Sequence, residues 1–140
     1  MDGKEPDSDG LHEKEIANVL KFSSKERYRY TVKRVVVNEC VWLLEYSDGF
    51  VVSAGDDEGN EMIPIWPEPE YAALCASGFW EDTVPARIEL EEWLEVWTPG
   101  MIKDERMVTV FMTSNGKGPR VHPQQLADEI RDLEEEYYGD

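Results

Sequence analysis

The sequence predicts an α+β fold: a mixed β-sheet, with an N-terminal antiparallel meander and then strand-helix-strand crossovers, packed by about four to five helices. Three observations carry this. Apolar residues recur at helical spacing from Ile16 to Val35. From Cys40 onward the period becomes strand-like, with short β-branched and aromatic runs separated by Gly-containing turns. Between Glu61 and Thr113 strand-like and helix-like segments alternate, the order that right-handed parallel crossovers produce.

Taken in order, MDGKEPDSDG opens the chain without apolar periodicity, so residues 1–12 read as a disordered acidic tail and 13–140 as a single globular α+β domain. Ile16, Val19 and Leu20 mark a first helix. Ser23 and Glu26 have the spacing of a capping box and start a second, with Tyr28, Val32 and Val35 on one face. Its end is open near Val37, because Val35-Val36-Val37 suits a strand equally. CVWLLEY, the turn Ser47-Asp48-Gly49 and FVVSA read as a hairpin. GDDEGN is a second turn and EMIPIW a third strand, at an edge or bulged because Pro64 lacks a ladder donor. Pro67 ends that strand. Pro69 suits a first helical position, and YAALCAS runs to Gly78 as its stop.

ARIEL is a short strand leading into a helix whose buried face is Leu90, Trp93, Leu94 and Trp97, and Thr98-Pro99-Gly100 is its expected end. MVTVFMT is a strand, SNGKG a turn and PRVH a last short strand. Pro123 starts a final helix with Leu126, Ile130, Leu133 and Tyr137 on one face. A chain of 140 residues with 41% hydrophobic residues and five tryptophans can fill one core.

Charge constrains partners more than it constrains fold. A formal net charge of -17 disfavours nucleic acid and anionic membranes and favours basic protein partners or none. Two cysteines, Cys40 and Cys75, do not make a disulfide framework. The start has no signal-peptide pattern, and the longest aliphatic-aromatic run, Val41 to Leu44, is far too short for a span, so a cytoplasmic location is expected.

The motifs that carry chemistry fit poorly. In GDDEGN, placing Gly59 at the sixth position of a calcium loop puts Ala54 first and Ile65 twelfth; starting at Asp56 puts Glu61 where glycine is needed. His12 and His122 lie far apart and no CxxC occurs, so neither metal nor cofactor is expected. A Cys75–His122 nucleophilic pair has nothing local to activate it. NGKG is too short for a phosphate loop. Glu91 and Glu95, one turn apart, read as solvated charges rather than an acid-base pair. No catalytic residue is assigned.

Two charge rows stand out. Lys21, Lys25, Arg27, Arg29, Lys33 and Arg34 are six of the fourteen basic residues. Within them Lys25, Arg29 and Lys33 form a stripe that contacts an anion, complements acidic surface of the same fold or is simply solvated. At the other end, Asp128, Asp132, Glu134, Glu135 and Glu136 load the last helix with charge that repels itself and opposes the helix dipole. A basic protein partner is one reason for such a cluster, and a solubilising terminus is the other.

The blocks RYRYTVKRV, VWLLEYSDGFVV, DDEGNEMIPIWPEPEYAALCASGFW, IELEEWLEVWTPG and VTVFMTSNGKGPRVHPQQLADEI together resemble a small bacterial family catalogued as domain of unknown function 2750, over about Glu15 to Tyr137. The resemblance implies a stand-alone cytoplasmic domain with no established activity and no catalytic residues to carry over. The run from IPIW to VHPQQL is also similar in pattern to the amino-terminal domain of the serine-sensitivity-enhancing family, which implies a mixed α/β sheet by analogy. The resulting expectation is a small acidic non-catalytic protein-interaction module. The alternatives are an immunity-type or inhibitor protein masking a basic enzyme such as a nuclease, and an enzyme of unrecognised type.

Overall fold

The computed structural model describes residues 13–55, 58–116 and 118–139, so the tail expected at 1–12 lies outside the described residues. Helix α1 (Glu13–Leu20) buries Val19 and leads into α2 (Ser24–Asn38). The capping box is formed: Ser23 Oγ accepts from Glu26 N at 3.1 Å and Glu26 Oε1 from Ser23 N at 2.9 Å. Ser23→Ala should therefore cost about 1 kcal/mol in urea denaturation. The ambiguous valine run is helical, because Val35 and Val36 are both buried while Val37 is exposed. A strand would have sent Val35 and Val37 to the same side. Glu39, at φ 59°, closes the helix in the left-handed region.

Strand β1 (Cys40–Tyr46) pairs antiparallel with β4 (Thr83–Glu89) along its whole length, from Cys40↔Glu89 to Tyr46↔Thr83. On the opposite edge of β1 the hairpin expected with FVVSA is limited to one bridge, Glu45↔Val51, because Trp66 pairs with Trp42 there. Val41, Leu43 and Leu44 are all fully buried, so β1 is covered on both faces and its backbone needs partners on both edges: β4 on one, and Phe50, Val52 and Trp66 on the other. ARIEL extends back to Thr83 through Pro85. Backbone alternation turns the Pro85 nitrogen to the outer edge of β4, where it blocks pairing with a further strand.

The second sheet has the order β2 (Ala54–Gly55), β3 (Glu61–Ile65), β5 (Met107–Val110), β6 (Arg120–Val121). β3 and β5 are parallel and the other two pairs antiparallel, so the sheet is mixed. One parallel crossover exists where two were expected, because β4 leaves this sheet to serve β1. Trp42 and Trp66 join the sheets by reciprocal backbone bonds of 3.0 and 2.9 Å. Pro64 is not on an edge strand in the strand order. It lies beyond the two-residue reach of β2, and its nitrogen faces away from β5, so no ladder donor is lost.

Three other boundaries differ from the sequence reading. Helix α3 (Pro69–Leu74) stops short of Gly78, which at φ 60° opens a 3-10 turn, Gly78–Trp80. Thr98-Pro99-Gly100 does not end its helix: α4 (Leu90–Glu92), a π-helical turn (Trp93–Trp97) and α5 (Thr98–Lys103) form one continuous run. The wide turn relieves the clash a proline ring makes with the carbonyl one turn back, and Thr98 Oγ1 donates to Trp93 O at 2.9 Å. It also rotates the buried face, which continues through Thr98 and Met101 and leaves Trp97 half-buried.

MVTVFMT leaves the strand after Val110, where Phe111 turns to φ 57° with its N still donating to Ile65 O at 2.9 Å. The chain crosses back there at Gly118, where a Cβ would lie 1.9 Å from Val110 O. Helix α6 (Pro123–Tyr138) buries Leu126, Ala127 and Ile130, with Leu133 half-buried and Tyr137 exposed rather than on the core face.

Candidate functional site

Parts of the basic and acidic rows, separate in sequence, meet as the two walls of one surface groove. Helices α2 and α6 run side by side in the same direction: Tyr28 donates to Glu129 Oε1, and Val32 and Leu133 meet further along. Burial, reinforced by the Glu129 carboxylate, pushes the Tyr28 hydroxyl well above the ordinary tyrosine range, so it stays a donor. Arg29 and Lys33 line one side of the groove, and Glu129, Asp132 and Glu136 the other. Lys25 continues the basic wall beside Gln125. Asp128 is engaged by Gln124 Nε2 at 2.9 Å and Glu135 is exposed.

Glu134 belongs elsewhere. It faces a cleft of ≈ 440 Å³ where the end of α2, the start of α4 and the end of α6 converge. Val36, Leu90 and Leu94 form an apolar floor. Glu39, Glu89, Glu91, Glu95 and Glu134 surround it against a single cation, Arg131. Leu90 N donates to Glu39 O at 2.9 Å, which ties the α2 terminus to α4 and fixes two of these carboxylates relative to each other. Glu89 also holds Arg87 at 2.8 Å on the exposed strand edge, which draws its carboxyl below the usual range.

Sequence reasoning treated Glu91 and Glu95 as solvated and did not mark Glu39 or Glu89. Only their convergence from separate elements makes a cleft. The one available signal was acidic residues at the two segment junctions.

Among the described residues no group of three or more His, Cys, Asp or Glu side chains is placed to hold a metal ion. Asp56 and Asp57 of the GDDEGN turn and His12 lie outside the described residues. Cys75 is buried, donates to Met112 O at 3.4 Å, and has its thiol pKa raised by burial; burial raises that of Cys40 as well. His122 is engaged in capping α6, its Nδ1 accepting from Gln124 N at 3.0 Å. The carboxyl ends of the parallel strands, where open α/β sheets often bind ligands, are filled by Trp66, Tyr71 and Phe111.

Beside that plug lies a polar group the sequence did not mark. Glu68 accepts from Arg34 Nε at 2.7 Å and from Asn38 Nδ2 at 3.0 Å. Burial works to lower the Arg34 pKa, but the Glu68 carboxylate holds it above its usual value. No helix among the described residues is long and apolar enough to cross a membrane.

A family model described as "Protein of unknown function (DUF2750)" matches residues 28–130. The match takes in the six strands of the described residues and the Tyr28–Glu129 end of the α2–α6 contact, and ends before Arg131, so Asp132, Leu133, Glu134 and the rest of the acidic helix end follow it. Comparison with curated proteins gives no match.

Proposed function

The chain belongs to the DUF2750 family of proteins of unknown function, and from that premise we propose that it is a non-catalytic module whose acidic cleft receives a basic segment of another protein. The observation that carries this reading is the cleft's construction: five carboxylates and one guanidinium around a floor of Val36, Leu90 and Leu94. A lysine or arginine side chain matches both features, with its methylene stem on the apolar floor and its charged head among the carboxylates. The net charge of -17 would steer such a partner from a distance. A basic enzyme masked by this surface, as an inhibitor or immunity protein would mask it, is one case of the same chemistry. The burial that keeps the Cys40 and Cys75 thiols protonated supports binding over nucleophilic catalysis.

The test replaces Glu91, Glu95 and Glu134 together by glutamine and titrates a lysine- and arginine-rich peptide at several salt concentrations. A control removes the same charge from Glu81, Asp82 and Glu105, which are exposed and do not line the cleft. The cleft variant is expected to bind at least about tenfold more weakly, with a flatter salt dependence, while the control stays near the native affinity. The thermal stability of the cleft variant should be little changed, since relieving Glu134 near the end of α6 offsets losing Glu91 from the first turn of α4. Equal losses in the two variants would mean that net charge alone attracts the peptide, and the cleft reading would fail.

A further inference from the structure

We propose that the chain pairs with a second copy of itself through the face made by α2 and α6, about a two-fold axis running along the groove between them. The groove encloses ≈ 390 Å³ over Val32 and Leu133, with Arg29 and Lys33 on one bank and Asp132 and Glu136 on the other. All four charged side chains are exposed, and among the described residues none makes an ion pair within 4.0 Å. They face each other across the groove without closing it, which leaves them available to a partner.

A two-fold interface must be complementary to itself. This face meets that condition because α2 and α6 run in the same direction and carry opposite charges at matching heights. Rotation by a half turn about an axis along the groove lays α2 of each copy over α6 of the other without shifting either lengthwise. Lys33 then meets Asp132 and Glu136 of the second copy, Arg29 meets its Glu129 and Asp132, and each contact occurs twice. The half-buried Leu133 of both copies leaves water at the centre, over a Val32 that is already buried, which supplies a non-directional driving force.

The same arrangement disfavours the other occupants. A uniformly basic partner is repelled by Lys25, Arg29 and Lys33, and an anionic one by Glu129, Asp132 and Glu136. Two chains of -17 repel each other at long range, but that repulsion is screened over about 8 Å at physiological salt while the facing rows lie closer. The dimer is therefore expected to be tightest at intermediate ionic strength.

Charge reversal with mixing tests this. Lys33→Glu and Asp132→Lys are made in separate full-length chains, one isotopically labelled, and association is followed by sedimentation and native mass spectrometry, with thermal melting to verify folding. The native chain should dimerise, and each reversal should weaken its own dimer by about tenfold or more because the like-charge contact appears twice. Mixing the two variants should restore a heterodimer, since each altered side chain then faces an opposite charge on the other chain. A charge role confined to one chain cannot respond to mixing. The proposal is overturned by a native chain that stays monomeric at hundreds of micromolar, by a dimer indifferent to both reversals, or by folded variants that do not associate when mixed.

Discussion

Replacing Trp93 by alanine is expected to lower the unfolding free energy by about 3–5 kcal/mol in urea denaturation. The indole is 1% exposed, inside the π-helical turn, and its ring stacks on Trp97 at 5.9 Å and 22°. Truncation loses the transfer free energy of a large side chain and leaves a hole in a helical run whose backbone is already committed to an irregular turn. Neighbours cannot close that hole by sliding, because Thr98 anchors the Trp93 carbonyl and Met101 is buried one turn further on. Trp97→Ala serves as the comparison. Trp97 is half-buried and its Nε1 reaches only an exposed Glu92 at 3.4 Å, so its loss should cost about 1–2 kcal/mol. A Trp93 variant with native stability but lost binding would show that the face is a surface site.

The same stretch shows what the sequence could convey. Leu90, Trp93 and Leu94 were legible as a buried helical face because their spacing is local. The π turn was not, since it depends on how Thr98 and Met101 meet the rest of the core, and Thr98-Pro99-Gly100 carries an ordinary stop signal. Helix starts were legible where the signal is local: the Ser23 side chain caps its own helix, and the Pro69 ring fixes φ at a first helical position.

Strand partners were not legible in that way. CVWLLEY and FVVSA are adjacent in sequence and joined by a favourable turn, yet they share only the Glu45↔Val51 bridge, because Trp66 takes the same edge of β1 at Trp42 while β4, far along the chain, pairs the whole of the other edge. The family resemblance could not repair this, because it brought no residue roles. For the surface, the charge rows were visible as rows. That Arg29 and Lys33 face Asp132 and Glu136, while Glu134 turns to a different cleft, follows only from the parallel packing of α2 on α6.

Arg34→Met is expected to destabilise the fold by about 3 kcal/mol, although Arg34 looks like one more member of the basic run. Its partner Glu68 sits between Pro67 and Pro69 at the start of α3, with a side chain only 8% exposed. Arg34 Nε and Nη2 both reach Glu68 Oε2, at 2.7 and 2.6 Å. Glu68 Oε1 is buried without a hydrogen-bond partner, so this carboxylate has no donor in reserve. Methionine keeps the length of the arginine stem and removes the charge, leaving Asn38 as the remaining donor to a buried anion.

The expected loss lies at the lower end of the range for a broken buried pair, because about a third of the Arg34 side chain is exposed and water can partly replace it. Glu68→Gln in the native background should cost less, about 1–2 kcal/mol, since a neutral amide can still accept from Asn38. Combining the two substitutions should recover much of the Arg34→Met loss, because no buried charge then remains uncompensated. The decisive measurement is this double-mutant cycle by urea denaturation. If the two losses simply add, the pair is not coupled, and the stability carried by α2 against α3 must come from Tyr30, Tyr71 and Phe111 packing alone.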